Sequence, residues 1–283
     1  MSFDHPLLSL AIIVTAGLVG GAPLGRLQRP KVTGWIATGI LLRQVDLPGL
    51  EPAGLGAFSP FVDFVLGYIA FTIGSALHFK SLRNAGRRLT LLLLTEATIT
   101  PTLVALALIF IGGQPVAVAL VMAGIAVAGA PGTTMIIVRE ARARGVFVKT
   151  LVAAVALIDM VAVSVFVVVA AIARARGANL DVGTFGSALG AAGRELGIAL
   201  VVGVACAAAC LFLVRRFLGP NAVGPSFVAV ILAAWGLAHA FDVSSIMACT
   251  FAGIAMSNLS HDVTRAGDAY LTPFGGVLFT GFY

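Results

Sequence analysis

The chain has 283 residues, of which 59% are hydrophobic and only 11% charged, with a mean hydropathy of +1.05. A soluble domain carries roughly 25% charged residues, so a chain this apolar cannot cover itself with polar surface in water. The net charge of +6 is expected to come from basic loops at one membrane face, which makes the lipid bilayer the expected partner and excludes nucleic acid.

Apolar runs between charged or Gly/Pro breaks predict an all-α, polytopic membrane bundle, each span needing about 20 mostly apolar residues. In chain order the spans fall at about 6–25, 32–43, 58–79, 89–112, 115–138, 146–173, 190–217, 222–241 and 243–258. A tenth begins near Pro273 and reaches Tyr283. The opening MSFDHPLLSL has neither a basic stretch nor a small-residue cleavage site, so no removable signal peptide is expected.

With the N-terminus outside, all but four of the 18 Lys and Arg residues fall in inside loops. The exceptions are Arg43, Arg174, Arg176 and Arg194. Basic residues concentrate on the cytoplasmic side of membrane proteins, so this asymmetry supports both the span count and the orientation.

A weak internal repeat runs through the chain. ATGILL at 37–42 is echoed by FAGIAM at 251–256, and Pro60-Phe61 by Pro273-Phe274, an offset of about 214 residues. Spans 1 to 3 thus map onto spans 8 to 10, and spans 2 and 9 run in opposite directions. Inverted repeats of this kind are a recurring plan of secondary transporters. On this register the second repeat is expected to be incomplete at Tyr283, lacking partners for spans 4 to 6.

Three features carry chemistry. Asp159 lies in the middle of span 6, with no other charge between Lys149 and Arg174. A carboxylate at that depth is costly unless it has water, a partner or a proton, so it reads as an ion- or proton-binding group. Span 5 contains AGAPGTTM at 128–135, where Gly129, Pro131 and Gly132 weaken the helix in mid-membrane. The carbonyls and helix ends of a broken helix can hold ions, and Thr133 and Thr134 follow as further ligands. Glu96 in span 4 is an accessory candidate, on a helix also carrying Thr98, Thr100 and Pro101.

Other polar residues read as structural. Asp63 falls near an interface, Glu195 beside Arg194 forms an interfacial pair, and His78 and His239 lie near span ends. Cys206, Cys210 and Cys249 sit in apolar runs with no metal-ligand spacing, so free core thiols are expected. No nucleophile–base pair, nucleotide loop or cofactor motif is present, so neither an enzyme nor a cofactor is expected.

Four segments carry a family resemblance: RLQRPKVTGWIATGILL (26–42), FTIGSALHFKSLR (71–83), APGTTMIIVREARARG (130–145) with LIDMVAV (157–163), and SSIMACTFAGIAMSN (244–258) with LTPFGGVLF (271–279). Their order and spacing resemble the monovalent cation:proton antiporters of the Kef-type and NapA-like branch. The resemblance implies a bacterial inner-membrane exchanger of Na⁺ or K⁺ for H⁺. It implies a panel of spans 1–3 and 8–10 that also dimerises, a moving core begun by spans 4–6 (about 88–173), and a linking helix at about 190–217. Asp159 falls on the family's essential carboxylate. Ile158 stands where the family has Asp, Asn or Gln, and Gly129 and Ala130 stand where it has hydroxyls. The same inverted-repeat plan also serves Na⁺-coupled organic anion symporters, and the missing polar groups leave a non-transporting sensor or fragment as another reading.

Overall fold

The computed structural model describes residues 6–26, 30–44, 56–77, 79–129, 131–177, 182–218 and 222–282. The expected all-α architecture is observed, and the regular elements among these residues are helices. Helix α1 spans Pro6–Arg26 and α2 Lys31–Gln44. A 3₁₀ turn, Gly56–Phe58, leads into α3, Ser59–Ser75. Then come α4 (Phe79–Phe110), α5 (Val116–Ile125), α6 (Pro131–Glu140) and α7 (Val146–Gly177). Helix α8 runs Val182–Leu213 and widens into a π-helical turn, Val214–Leu218. Helices α9 (Val223–Ala240), α10 (Ser245–Leu259) and α11 (His261–Phe282) complete the chain.

Among the described residues, four helical stretches are long and apolar enough to cross a membrane on length and composition alone: Leu8–Gly25, Gly86–Phe110, Gly193–Phe217 and Val223–Ala240. Ser59–Ser75, Val116–Ile125 and Ser245–Leu259 are apolar but shorter.

The structure moves three boundaries. Helix α4 begins at Phe79, so the basic stretch 80–88 is already helical. Hydropathy marks where lipid ends, whereas Lys and Arg are good helix formers and let the helix continue into the interface. Helix α11 likewise begins at His261, with Pro273 inside it rather than at its start. Asp262 in its first turn suits the positive end of the helix dipole, and an internal proline is tolerated in membrane helices. The fifth span is two short helices, α5 and α6.

The helices pack in two groups. In the first, α10 lies closely against α3 and α8, α9 touches all three, and α11 bridges α9, α10, α3 and α1. Helix α1 pairs with α2. In the second, α4, α5 and α7 pack on one another, with α6 against α7. Helix α3 meets α6 and α7, and α7 meets α8, so the groups join along these faces. In the first group, Tyr68, Phe71, Phe227, Ile231 and Met256 are almost fully excluded from solvent. Phe71 and Phe227 meet edge to face at 5.3 Å.

The α3–α10 crossing is a backbone contact. A β-carbon on Gly253 would collide with the Phe71 carbonyl and lie 2.8 Å from the Ser75 nitrogen. One on Gly74 would collide with the Thr250 carbonyl and lie 3.1 Å from the Ile254 nitrogen. Lipid offers no hydrophobic drive for helix association, so such close van der Waals contact must supply the attraction. Nearby, the buried Tyr68 hydroxyl donates to the Leu271 carbonyl in α11 at 3.2 Å. Gly39, aligned with Gly253 in the repeat, is instead exposed on α2.

Gly253→Ala should therefore destabilise the fold by about 1–3 kcal/mol through overpacking. Gly236→Ala, where an added β-carbon meets open space, should be neutral or slightly stabilising. Thermal unfolding in detergent separates the two; equal midpoints would refute the tight crossing.

Candidate ion-binding site

The site forms where one membrane crossing is shared by two helices of ten residues each, α5 and α6, neither long enough to cross alone. Helix α5 winds down as the Ala126 N–H donates to the Met122 carbonyl and the Ala128 N–H to the Ile125 carbonyl, at 3.0 and 3.1 Å. Helix α6 starts at Pro131, at a helix-first position where no N–H is needed. The break thus brings a helix C-terminus and a helix N-terminus together. Their partial charges are opposite, so one end favours a cation and the other a carboxylate.

Helix α7 covers the break. A β-carbon on Gly129 would lie 3.1 Å from Ile158 Cγ2 and 3.9 Å from Val155 Cγ1. Ile158 is buried together with Val127 of the break and Ala162 of α7. Leu93 of α4 and Val161 and Val165 of α7 surround this cluster. The break and α4 therefore converge on the α7 turn that carries Ile158, and the next residue along it is Asp159. By the family resemblance Ile158 reads as a lost polar ligand; in the fold its side chain packs against Val127 of the break, while Ala128 and Gly129 stay exposed.

Thr133 and Thr134 stand half-buried in the first turn of α6. Glu96 is half-buried on α4, one turn beyond Leu93 and so on the same helix face. The backbone of Asp159 belongs to α7, and those of Pro131 and Gly132 open α6. The side-chain placement of Asp159, Pro131 and Gly132 lies outside the described residues, as does His78. Asp63 and Glu195 are half-buried, and His239 and Arg194 exposed. The Thr98 and Thr102 hydroxyls bond back to the Leu94 and Thr98 carbonyls of their own helix at 2.7 and 2.6 Å. The cysteines are free thiols, Cys210 and Cys249 buried and Cys206 half-buried.

Sequence reading missed Val127 and Leu93 as builders of the site. Nothing in an apolar run distinguishes the residue that packs at a break from one that faces lipid.

An all-α membrane bundle with an interrupted helix beneath a long one is an architecture used by secondary transporters. A family model described as sodium/hydrogen exchanger, transmembrane, matches residues 10–283, and the chain belongs to that family. It is an integral membrane protein of the cation/proton exchange class. No match was found among curated proteins.

Ile158→Ala should open a cavity at the break and cost about 2–4 kcal/mol. Leu103→Ala, on an exposed face of α4, should cost far less. Chemical or thermal unfolding of the two variants measures the difference.

Proposed function

We propose that the protein exchanges Na⁺ or K⁺ for H⁺ by alternating access, with Asp159 binding the proton and the cation in turn. The observation that carries this reading is the contact of Ile158 with Gly129, which sets the Asp159-bearing turn of α7 against the break in the α5–α6 crossing. Membership of the exchanger family supports it over organic anion symport.

In this reading the carboxylate at Asp159 loses its proton to one side and accepts a dehydrated cation in its place. Carbonyls at the end of α5 and the Thr133 and Thr134 hydroxyls complete the cation's shell, a hard-oxygen set suited to an alkali ion. Glu96, on the α4 face that carries Leu93, offers a relay or attraction for the incoming ion. Pro131 and Gly132 keep the backbone open there.

Ile158 contributes no second charge beside Asp159, so one carboxylate carries one positive charge in each direction and exchange is electroneutral. Helices α4–α7 form the moving half and helices α1–α3 and α9–α11 the static panel, with α8 as the linking helix. The panel faces are also the proposed homodimer contact. The orientation is N-terminus outside in a bacterial inner membrane, as the basic loops support.

Asp159→Asn should reduce cation-driven proton flux in reconstituted vesicles to background. Flux equal to the unmodified protein would sink the assignment. Exchange by the unmodified protein should also be indifferent to an imposed membrane potential; a rate that scales with voltage would rule out one-for-one exchange.

A further inference from the structure

The connection between the two packed groups of helices is short, and its first end is held in an unusual way. Helix α3 closes as the Ala76 N–H bonds back to the Thr72 and Ile73 carbonyls, and the Leu77 N–H to the Gly74 carbonyl. The Leu77 carbonyl lies past the last turn, where no later helical N–H is available to it. Leu77 is nonetheless 2% exposed. Two side chains from the far end of the chain take over. The Ser257 hydroxyl donates to the Leu77 carbonyl at 3.1 Å, and the Asn258 amide donates to the same oxygen at 2.9 Å. One carbonyl has two lone pairs and can accept both. The two Asn258 amide N–H groups are shared among the Leu77 carbonyl, the Ile254 carbonyl at 2.7 Å and the Ser257 hydroxyl at 3.2 Å. One turn back lies the backbone crossing, where Gly74 faces Thr250 and Gly253 faces Phe71, so the ends of α3 and α10 are joined by packing and by hydrogen bonds together.

Two residues after this clamp, Phe79 opens α4, which packs on α5 and α7 rather than continuing in the α3–α10 group. We infer that Ser257 and Asn258 are positioning residues for exchange: they anchor the end of α3 at Leu77, making it a fixed point two residues ahead of α4 and the helices packed on it. The inference rests on the exchange reading above. It assigns the two side chains a role at a distance from the ion, because they bind the frame and not the cargo. An anchor point that yields under load would let the moving half drift without completing its stroke, so its loss slows turnover and leaves ion affinity alone.

The test uses the full chain in vesicles, comparing the unmodified protein, Asp159→Asn, Ser257→Thr and the double variant Ser257→Ala/Asn258→Leu. The double variant removes both donors while keeping the branched shape at position 258. Its turnover per folded molecule should fall about tenfold, the scale of two lost hydrogen bonds, with half-saturating cation concentration unchanged. Ser257→Thr, which keeps a hydroxyl, should retain turnover. Hydrogen–deuterium exchange of the same samples should quicken at Leu77 and the first turn of α4, while the amides in the middle of α10 keep their protection.

Unaltered turnover, a parallel loss of cation affinity, or unchanged protection at Leu77 would each overturn the inference. Absence of flux in the unmodified protein would instead defeat the exchange reading. Hydrogen exchange would then still decide whether the clamp holds this connection.

Discussion

A backbone interruption at membrane depth is tolerable only where protein or a watery cavity covers it, because lipid supplies no hydrogen-bond partners. The break between α5 and α6 sets that demand on this fold. It is met by α7, laid so closely over Gly129 that Ile158 touches the site of a missing β-carbon. Once α7 is committed to that position, α4 follows, because Leu93 closes the remaining side of the Val127–Ile158–Ala162 cluster. The candidate site is thus a consequence of packing against a weak point. The same turn of helix that packs against Val127 of the break carries Asp159.

The two packed groups solve different problems. Around α10, glycines bring backbones into contact and large aromatic side chains fill the space between helices, which favours a single rigid arrangement. Around the break, the buried cluster among the described residues is built of Val, Ile and Ala. Half-buried hydroxyls and a half-buried carboxylate stand near it rather than a dense aromatic core. A region that must admit and release an ion cannot be packed as tightly as one that only supports it. Under the proposed exchange, this difference among the described residues fits a supporting frame and a moving part.

Much of this was legible in the sequence for physical reasons. The bilayer imposes a length on apolar runs, so the succession of helices could be read, and Gly129-Ala130-Pro131-Gly132 announced a break because each glycine and proline weakens helical continuity. What hydropathy could not supply was where helices extend beyond lipid. Phe79–Arg88 and His261–Thr272 are helical despite their charges, since helix propensity and apolarity are separate properties. The meaning of Ile158 was hidden for another reason. By the family resemblance it is a missing ligand; only the fold reveals its packing against Val127 of the break. The bonds from Ser257 and Asn258 to Leu77 join positions some 180 residues apart, and no local pattern encodes such a pairing.

Packing and binding compete for the same turn of α7. A polar residue at position 158 would offer an ion another ligand but would have to be satisfied against the apolar Val127 and Ala162, or pay the cost of a buried polar group without a partner. The isoleucine removes that cost and with it a second site of charge. In the proposed site Asp159 supplies the charge and the helix ends the rest of the polarity. Those ends are backbone groups, which cannot be lost by side-chain substitution, and they remain available only while the break stays open. Gly129 bears on this directly, because a β-carbon there would lie 3.1 Å from Ile158 Cγ2 and that side chain would have to give by a few tenths of an ångström.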